Sequence, residues 1–145
     1  RMDLELEVKG DLHVDEHHTI EDTGLALGEA FLNAVGNKKG LQRYGFYVPM
    51  DESMAHCVMD LSGRSHLEWQ VDLKREKIGD VPTEMFEHFF KSFAQEARCT
   101  MHINARGNNE HHKIEAVFKA FALALKMTIQ QDVNNATIPT TKGKL

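Results

Sequence analysis

The sequence predicts an α+β fold: one domain of two similar βα halves, with helices packed on mixed sheets. Three features predict it: a duplicated histidine-rich pentapeptide, an alternating apolar segment before each copy, and a helical apolar repeat after each copy. The pentapeptide His17–Glu21 returns as His111–Glu115, 94 positions later. We therefore place the halves at about residues 1–97 and 98–145 of a single domain covering residues 1–145.

An alternating apolar segment precedes each pentapeptide, at residues 4–8 in the first half and at residues 101–103 in the second. Alternation with a period of two is typical of a strand with one buried face. A glycine, Gly10 or Gly107, and a polar linker follow each segment and separate it from the helix. Because the chain opens at Arg1, directly at the first segment, we expect the first half to be incomplete at its N-terminus.

After each pentapeptide the apolar period changes to that of a helix. One apolar stripe runs from Ile20 to Val35 and the other from Ile114 to Ile129. Both stripes place the histidines and glutamates at the rim of the core. Between the copies, residues 41–50, 55–61 and 66–73 read as strands. Pro82, Thr83 and Glu84 then open a third helix that extends to about Ala97.

Composition excludes several classes of protein. The 145 residues are 41% hydrophobic and 27% charged, as in globular domains, and the net charge of −5 without a basic stripe argues against a nucleic-acid partner. No apolar run approaches the ~20 residues of a membrane span, so we expect no membrane association. Cys57 and Cys99 lack the spacing of a metal or disulfide framework, which indicates reduced thiols and a cytoplasmic protein.

The two pentapeptides predict a site for two divalent metal ions. Residues i and i+4 of a helix share a face, so the first histidine and the glutamate of each copy can bind one ion. The second histidine points about 100° away and is free to bind another ion. If the two helices face each other, one partial shell contains His17, Glu21 and His112, and the other contains His18, His111 and Glu115. His88, at the edge of the apolar side of its helix, is either a core histidine or a further ligand.

Scattered polar residues suggest an anionic substrate. Any single one of them could be ordinary solvated charge, but together they suit a phosphate group. Lys119 follows Glu115 by one helical turn and is best placed near the metals, while Thr140 and Lys142 belong to a polar tail able to cover a ligand. Asp51 and Glu52, at the end of a strand, form either a turn or a general acid or base. The candidate phosphate ligands are Arg43, Arg64, Lys119, Thr140 and Lys142.

These residues also carry a family resemblance that extends from about Gly10 to the end of the chain. The segments are HHTIEDTG from His17, PMDE from Pro49, LSGR from Leu61, HHKIE with FKAF from His111 and TKG from Thr141. Together they resemble imidazoleglycerol-phosphate dehydratase, which removes water from imidazole glycerol phosphate to give imidazole acetol phosphate in histidine biosynthesis. In some bacteria this domain is fused to a histidinol-phosphate phosphatase, which is absent from this chain.

The resemblance implies helices sandwiched between two mixed sheets, as in the second domain of ribosomal protein S5. It also implies two manganese ions and a 24-subunit homo-oligomer with sites at subunit interfaces. The resemblance adds His88 to the shell of His17, Glu21 and His112, and implies that His18, His111 and Glu115 share their ion with a histidine of an upstream Asp-His-Met motif that this sequence lacks. It assigns the phosphate to the five residues named above, with Thr140 where the family usually has serine.

Our hypothesis for the reaction is dehydration through a di-manganese-bound imidazolate of the substrate. Glu115 is the candidate proton shuttle, Asp51 a candidate helper through a water molecule, and Glu21 a further candidate catalytic carboxylate.

Two other functions fit the same residues. A dinuclear metallohydrolase would use the ions to activate water against a phosphate ester, and a metal-dependent assembly module would use them structurally.

Overall fold

The computed structural model describes residues 3–132, 134 and 137–143, with the backbone alone at residues 45–47. Among these residues no helix has both the length and the apolarity to cross a bilayer. In chain order the elements are α1 (His17–Val35), β1 (Tyr44–Met50), β2 (Ser53–Asp60), β3 (His66–Val71), β4 (Lys77–Ile78), β5 (Val81–Pro82), α2 (Glu84–Ala97), β6 (Thr100–Arg106) and α3 (Glu110–Thr128).

Four strands form a mixed sheet in the order β1-β2-β6-β3. β1 pairs with β2 and β2 with β6 in antiparallel fashion, whereas β3 runs parallel to β6. A parallel pair needs a crossover connection, and α2 provides it. The short strands β4 and β5 form a separate antiparallel ribbon within this crossover, which the sequence analysis did not predict.

The core lies between the sheet and the helices α2 and α3. Along β2, Ala55, Cys57 and Met59 are fully buried, and so are Met101 and almost all of Ile103 along β6. Their alternation with more exposed neighbours produces one apolar sheet face. Helix α3 covers β1 and β2 on that face, and α2 contacts β3. The α+β class and the predicted helices are therefore confirmed.

Helix α1 packs on α2 at close range because two glycines face that helix. A Cβ atom at Gly24 would lie 2.7 Å from the carbonyl oxygen of Phe89, and one at Gly28 would lie 2.5 Å from that of Phe93. Phe31 completes the contact, with its ring centroid 5.8 Å from that of Phe93. The spacing of the two helices is thus fixed by residues without side chains.

Residues 4–8 do not form the predicted strand. Leu4, Leu6 and Val8 are 63%, 52% and 45% exposed, and no strand of the described residues pairs with them. An alternating sequence is compatible with a strand, but the backbone adopts that state stably only when a neighbouring strand completes its hydrogen bonds. Within the described residues the four-stranded sheet is accordingly the only mixed sheet.

Buried charges attach the start of α3 to the loop after β3. The carboxylate of Glu110 accepts hydrogen bonds from the backbone N–H groups of Lys74 (2.9 Å) and Arg75 (3.0 Å). The ammonium of Lys113, also buried, donates to the carbonyl oxygen of Asp72. Asn109 caps the helix, because its side-chain oxygen accepts hydrogen bonds from the backbone N–H groups of His111 and His112. The residues of the second pentapeptide therefore start from a well-anchored helix end.

Candidate functional site

Helices α1 and α2 bring three possible metal ligands together. His17 and Glu21 lie one turn apart on α1, with 3.7 Å between Nε2 and Oε2. His88 faces them from α2, with its Nε2 3.4 Å from Oε1 of Glu21 and its ring centroid 4.6 Å from that of His17. One ligand atom from each residue lies within 4.8 Å of the others. We name these three residues the α1–α2 cluster.

The α1–α2 cluster fits a divalent cation. Nε2 of His88 is buried and has no hydrogen-bond partner among the described residues, although the carboxylate of Glu21 lies nearby. A buried ring nitrogen without a partner is costly, and a bound cation would provide the missing interaction. Two imidazoles and one carboxylate are ligands that suit manganese, iron, cobalt or zinc. Three protein ligands would also leave coordination positions for a small molecule.

The second pentapeptide repeats the pairing seen in the first. His111 and Glu115 lie one turn apart on α3, with 3.8 Å between Nε2 and Oε2. Lys119, a further turn along, places Nζ 2.8 Å from Oε1 of Glu115. This hydrogen bond is the main cause of the lowered pKa of Glu115, so the carboxylate is ionised at neutral pH. Helical spacing thus places both pairs as the sequence predicted.

His112 lies in a different environment from its counterpart His18. Its Nδ1 is 2.8 Å from Oε2 of Glu52, which follows Asp51 in the turn between β1 and β2. The imidazole lowers the pKa of Glu52 to about 2, and the carboxylate raises the pKa of His112. Asp51, Glu52 and His112 form a second group whose ligand atoms lie within 4.8 Å of one another. The backbone at Asp51 has a φ of 46°, which Asp tolerates better than most residues.

Within one chain, the two predicted three-residue shells are not assembled as the sequence analysis paired them. His112 lies with Glu52 and not with His17 and Glu21, and the place beside that pair is taken by His88. His18 does not join a group of three ligands in the described residues. The physical reason is that α1 packs on α2 whereas α3 packs on the sheet, so the two pentapeptides do not face each other.

Four of the five predicted phosphate ligands line one cavity of about 580 Å³. Arg43 and Arg64 come from the sheet side, and Thr140 and Lys142 come from the C-terminal segment. Thr140 uses its hydroxyl oxygen to accept a hydrogen bond from the backbone N–H of Lys142, at 3.1 Å. Lys119 is not among the lining residues and instead contacts Glu115 and the sulfur of Met50. We name this cavity the anion pocket.

Sequence reasoning did not predict the contacts that two carboxylates make with predicted site residues. Glu52 contacts His112, and Asp60 contacts Arg43 with both of its oxygens. Both contacts join residues far apart in the chain, so no local spacing rule finds them. A signal existed for Glu52, since it stands beside Asp51 in the segment PMDE that carried the resemblance. For Asp60 the only signal was its place before the segment LSGR at the end of a strand.

Comparison with known proteins points to one family. The sequence profile of the family described as imidazoleglycerol-phosphate dehydratase matches residues 1–125. The chain is 60% identical over 144 residues to the histidine biosynthesis bifunctional protein HisB of Spirosoma linguale, covering 99% of this chain but 38% of that protein. It is 52% identical over 146 residues to the imidazoleglycerol-phosphate dehydratase of Gluconacetobacter diazotrophicus, covering 99% of this chain and 74% of that protein.

The fold is similar to that of a solved member of the family. The crystal structure of imidazoleglycerol-phosphate dehydratase from Staphylococcus aureus superposes with a TM-score of 0.80 at 43% sequence identity. The superposition covers 87% of this chain and 72% of that one. This similarity confirms the predicted fold class of duplicated βα halves.

Proposed function

The chain belongs to the imidazoleglycerol-phosphate dehydratase family, and we propose that it dehydrates imidazole glycerol phosphate to imidazole acetol phosphate in histidine biosynthesis. The observation that carries the proposal is the convergence of His17 and Glu21 of α1 with His88 of α2, in a chain whose relatives are dehydratases. A metal-ligand set of this type suits a substrate that contains an imidazole ring, because imidazole nitrogens are themselves good ligands.

We propose that two manganese ions serve each active site, since imidazole and carboxylate ligands suit this metal. His17, Glu21 and His88 hold one of them, together with a histidine of the second pentapeptide, His112. His18, His111 and Glu115 take part in holding the other. The bound ions supply Lewis acidity, which lowers the pKa of a ligated ring nitrogen.

The reaction removes a hydroxyl group from the carbon attached to the ring and a proton from the next carbon. In our proposal Glu115 accepts that proton, because Lys119 keeps its carboxylate ionised. The hydroxyl leaves as water after taking up a proton from a water molecule, and Asp51 is the candidate to assist through that water. The enol that remains converts to the ketone. One proton is taken from carbon and one is given to the leaving hydroxyl, so the net reaction releases one water molecule.

The anion pocket holds the phosphate group in this proposal. Arg43, Arg64, Thr140 and Lys142 provide cationic and hydroxyl groups, which suit the oxygens of a phosphate monoester. Lys119, which lies outside the pocket in one chain, contributes from the metal side. Holding the phosphate fixes the ring against the metals, and such orientation contributes several kcal/mol, within the ~7–11 kcal/mol available from positioning.

We further propose that copies of the chain complete each other's sites in a 24-subunit cytoplasmic assembly. The support is that α1 and α3, which carry the two pentapeptides, pack on different elements of the same chain. A second copy is therefore the natural source of the ligands that one chain does not bring together. Light scattering of the protein with manganese should give a mass near that of 24 chains, and a stable monomer under those conditions would contradict the assembly.

The reaction is tested by incubating imidazole glycerol phosphate with manganese and the purified protein. We expect a ketone product that absorbs in alkali. The matched variant is Glu115→Gln, which should abolish turnover while imidazole-type ligands still bind. Full turnover in that variant would remove Glu115 from the chemistry.

The same assay separates the two other functions named above. Release of inorganic phosphate without a ketone would indicate a metallohydrolase, and metal-dependent assembly without turnover would indicate a structural role for the ions. Either result would overturn the dehydratase proposal.

A further inference from the structure

Asp60 contacts Arg43, one of the residues that line the anion pocket. It lies at the end of β2, where its Cα is paired with that of Tyr44, the first residue of β1. Its two carboxylate oxygens accept hydrogen bonds from Nε and Nη2 of Arg43, the latter at 2.9 Å. Asp60 is not one of the described residues that line the pocket. It therefore acts on Arg43 from the sheet side while leaving the pocket side of that residue open.

Arg43 is held on a third side by the C-terminal segment. Its Nη1 donates to the carbonyl oxygen of Pro139, at 2.8 Å. A guanidinium has five N–H groups, so these three contacts leave one on each terminal nitrogen. Two parallel N–H groups match two oxygens of a phosphate. The guanidinium is also largely buried, with 13% of its side chain exposed, which limits the number of orientations it can adopt.

Charge balance favours the same arrangement. The pocket is lined by the cations Arg43, Arg64 and Lys142, and Asp60 offsets one of these three charges. The remainder is close to the charge of about −1.5 to −2 that a phosphate monoester carries near pH 7. Removal of Asp60 would leave Arg43 mobile and the pocket more positive; the added charge by itself attracts an anion, so a loss of phosphate affinity would report the loss of Arg43 positioning.

We propose that Asp60 is a positioning residue for phosphate recognition: it fixes the guanidinium of Arg43 between β2 and the carbonyl of Pro139, so that two N–H groups face a dianionic phosphate. The contact through Pro139 also links Arg43 to the segment that carries Thr140 and Lys142. This inference rests on the proposed function in so far as the ligand is a phosphate monoester. It assigns no proton transfer to Asp60.

The test compares Asp60→Asn with the wild-type protein, first by titration with inorganic phosphate and then by steady-state kinetics. We expect the Kd for phosphate to rise by about 10-fold, the change that corresponds to loss of one charge-assisted hydrogen bond. KM should rise by a similar factor and kcat should change little, because the phosphate is bound equally in the ground and transition states. Glu68→Gln, on the free face of the sheet, is the matched control and should change neither.

A double-mutant cycle separates positioning from a general structural role. If Asp60 acts through Arg43, Asp60→Asn should have no further effect on the phosphate Kd in an Arg43→Ala background. The same 10-fold effect in that background, or an unchanged Kd and KM with only a lower Tm, would overturn the inference. If Asp60→Asn does not fold, Asp60→Glu takes its place: it keeps the charge but shifts Arg43, so the Kd should rise by a smaller factor, and an unchanged Kd would again overturn it.

Failure of this inference differs from failure of the proposed function. Phosphate binding that depends on Asp60 but is accompanied by no ketone product would overturn the dehydratase reaction alone. Ketone formation with an Asp60→Asn variant that binds phosphate normally would overturn the positioning role alone. A wild-type protein that does not bind phosphate would overturn the positioning role as well.

Discussion

Glu52 and His112 form a hydrogen bond that joins the turn between β1 and β2 to the first turn of α3, with 2.8 Å between Oε2 and Nδ1. The other oxygen of Glu52 accepts a hydrogen bond from the backbone N–H of Asn109, the capping residue of α3, at 3.2 Å. A carboxylate on one ring nitrogen of a histidine fixes the tautomer and directs the other nitrogen outward. Nε2 of His112 is thereby the nitrogen available to a ligand.

We expect Glu52→Gln to lower the pKa of His112 toward its ordinary value, because the carboxylate is the main cause of the raised pKa. The ion pair is complete only where Glu52 is ionised and His112 is protonated. It is lost in acid as the pH falls through about 2, and lost in base as the pH rises through the raised pKa of His112. NMR titration of the metal-free protein measures this, and Glu68→Gln serves as the control. An unchanged titration of His112 would contradict the assignment.

We expect His88→Ala to weaken manganese binding by at least ~10-fold, since even changes in the groups that orient a metal ligand cost 10- to 100-fold. The measurement is equilibrium dialysis with elemental analysis, which does not depend on turnover. His102→Ala is the matched control, because His102 lies on an exposed strand position outside both groups of possible ligands. Equal binding by the wild type and His88→Ala would remove His88 from the metal site.

We expect Gly24→Ala to disturb both stability and metal binding. The new Cβ would lie 2.7 Å from the carbonyl oxygen of Phe89, the residue next to His88. Overpacking costs about 1–3 kcal/mol and the better helix propensity of alanine returns ~1 kcal/mol, so the free energy of unfolding should fall by up to about 2 kcal/mol. Urea denaturation and manganese titration check the two effects. Ala30→Ser, on the exposed side of α1, is the control and should change neither the stability nor the manganese binding.

We expect Cys57 and Cys99 to be inert toward thiol reagents at pH 8 and to react once the protein is unfolded. Both are fully buried, and burial raises the pKa of each thiol to about 12. Since the unfolded thiols ionise near pH 8.5–9, their contribution to stability is complete below that range and declines as the pH rises toward 12. A double variant, Cys57→Ala with Cys99→Ala, should show a shallower alkaline decline in stability. Rapid labelling of the folded protein at pH 8 would contradict this burial.

The sequence predicted features that depend on neighbours along the chain. The period of the apolar residues located α1 and α3, and the i, i+4 rule paired His17 with Glu21 and His111 with Glu115. Pro82 and Thr83 indicated the start of α2. These are local properties of a helix, so no knowledge of tertiary packing was needed for them.

Features that depend on packing were not predictable in the same way. The contacts of Glu52 with His112 and of Asp60 with Arg43 join residues 60 and 17 positions apart. Which helix faces α1 also depends on packing, because Gly24 and Gly28 permit α2 to approach and α3 is instead covered by the sheet. The strand predicted at residues 4–8 failed for the related reason that its pattern does not specify a pairing partner.

The arrangement of the α1–α2 cluster has a consequence for the newly made protein. His17 and Glu21 are translated long before His88, so a nascent chain on the ribosome carries two of the three side chains without the third. Two ligands on an isolated helical turn bind a cation weakly, and metal loading is coupled to folding. If the α1–α2 cluster holds a metal as proposed, its three ligands come together only after α2 has emerged and docked on α1.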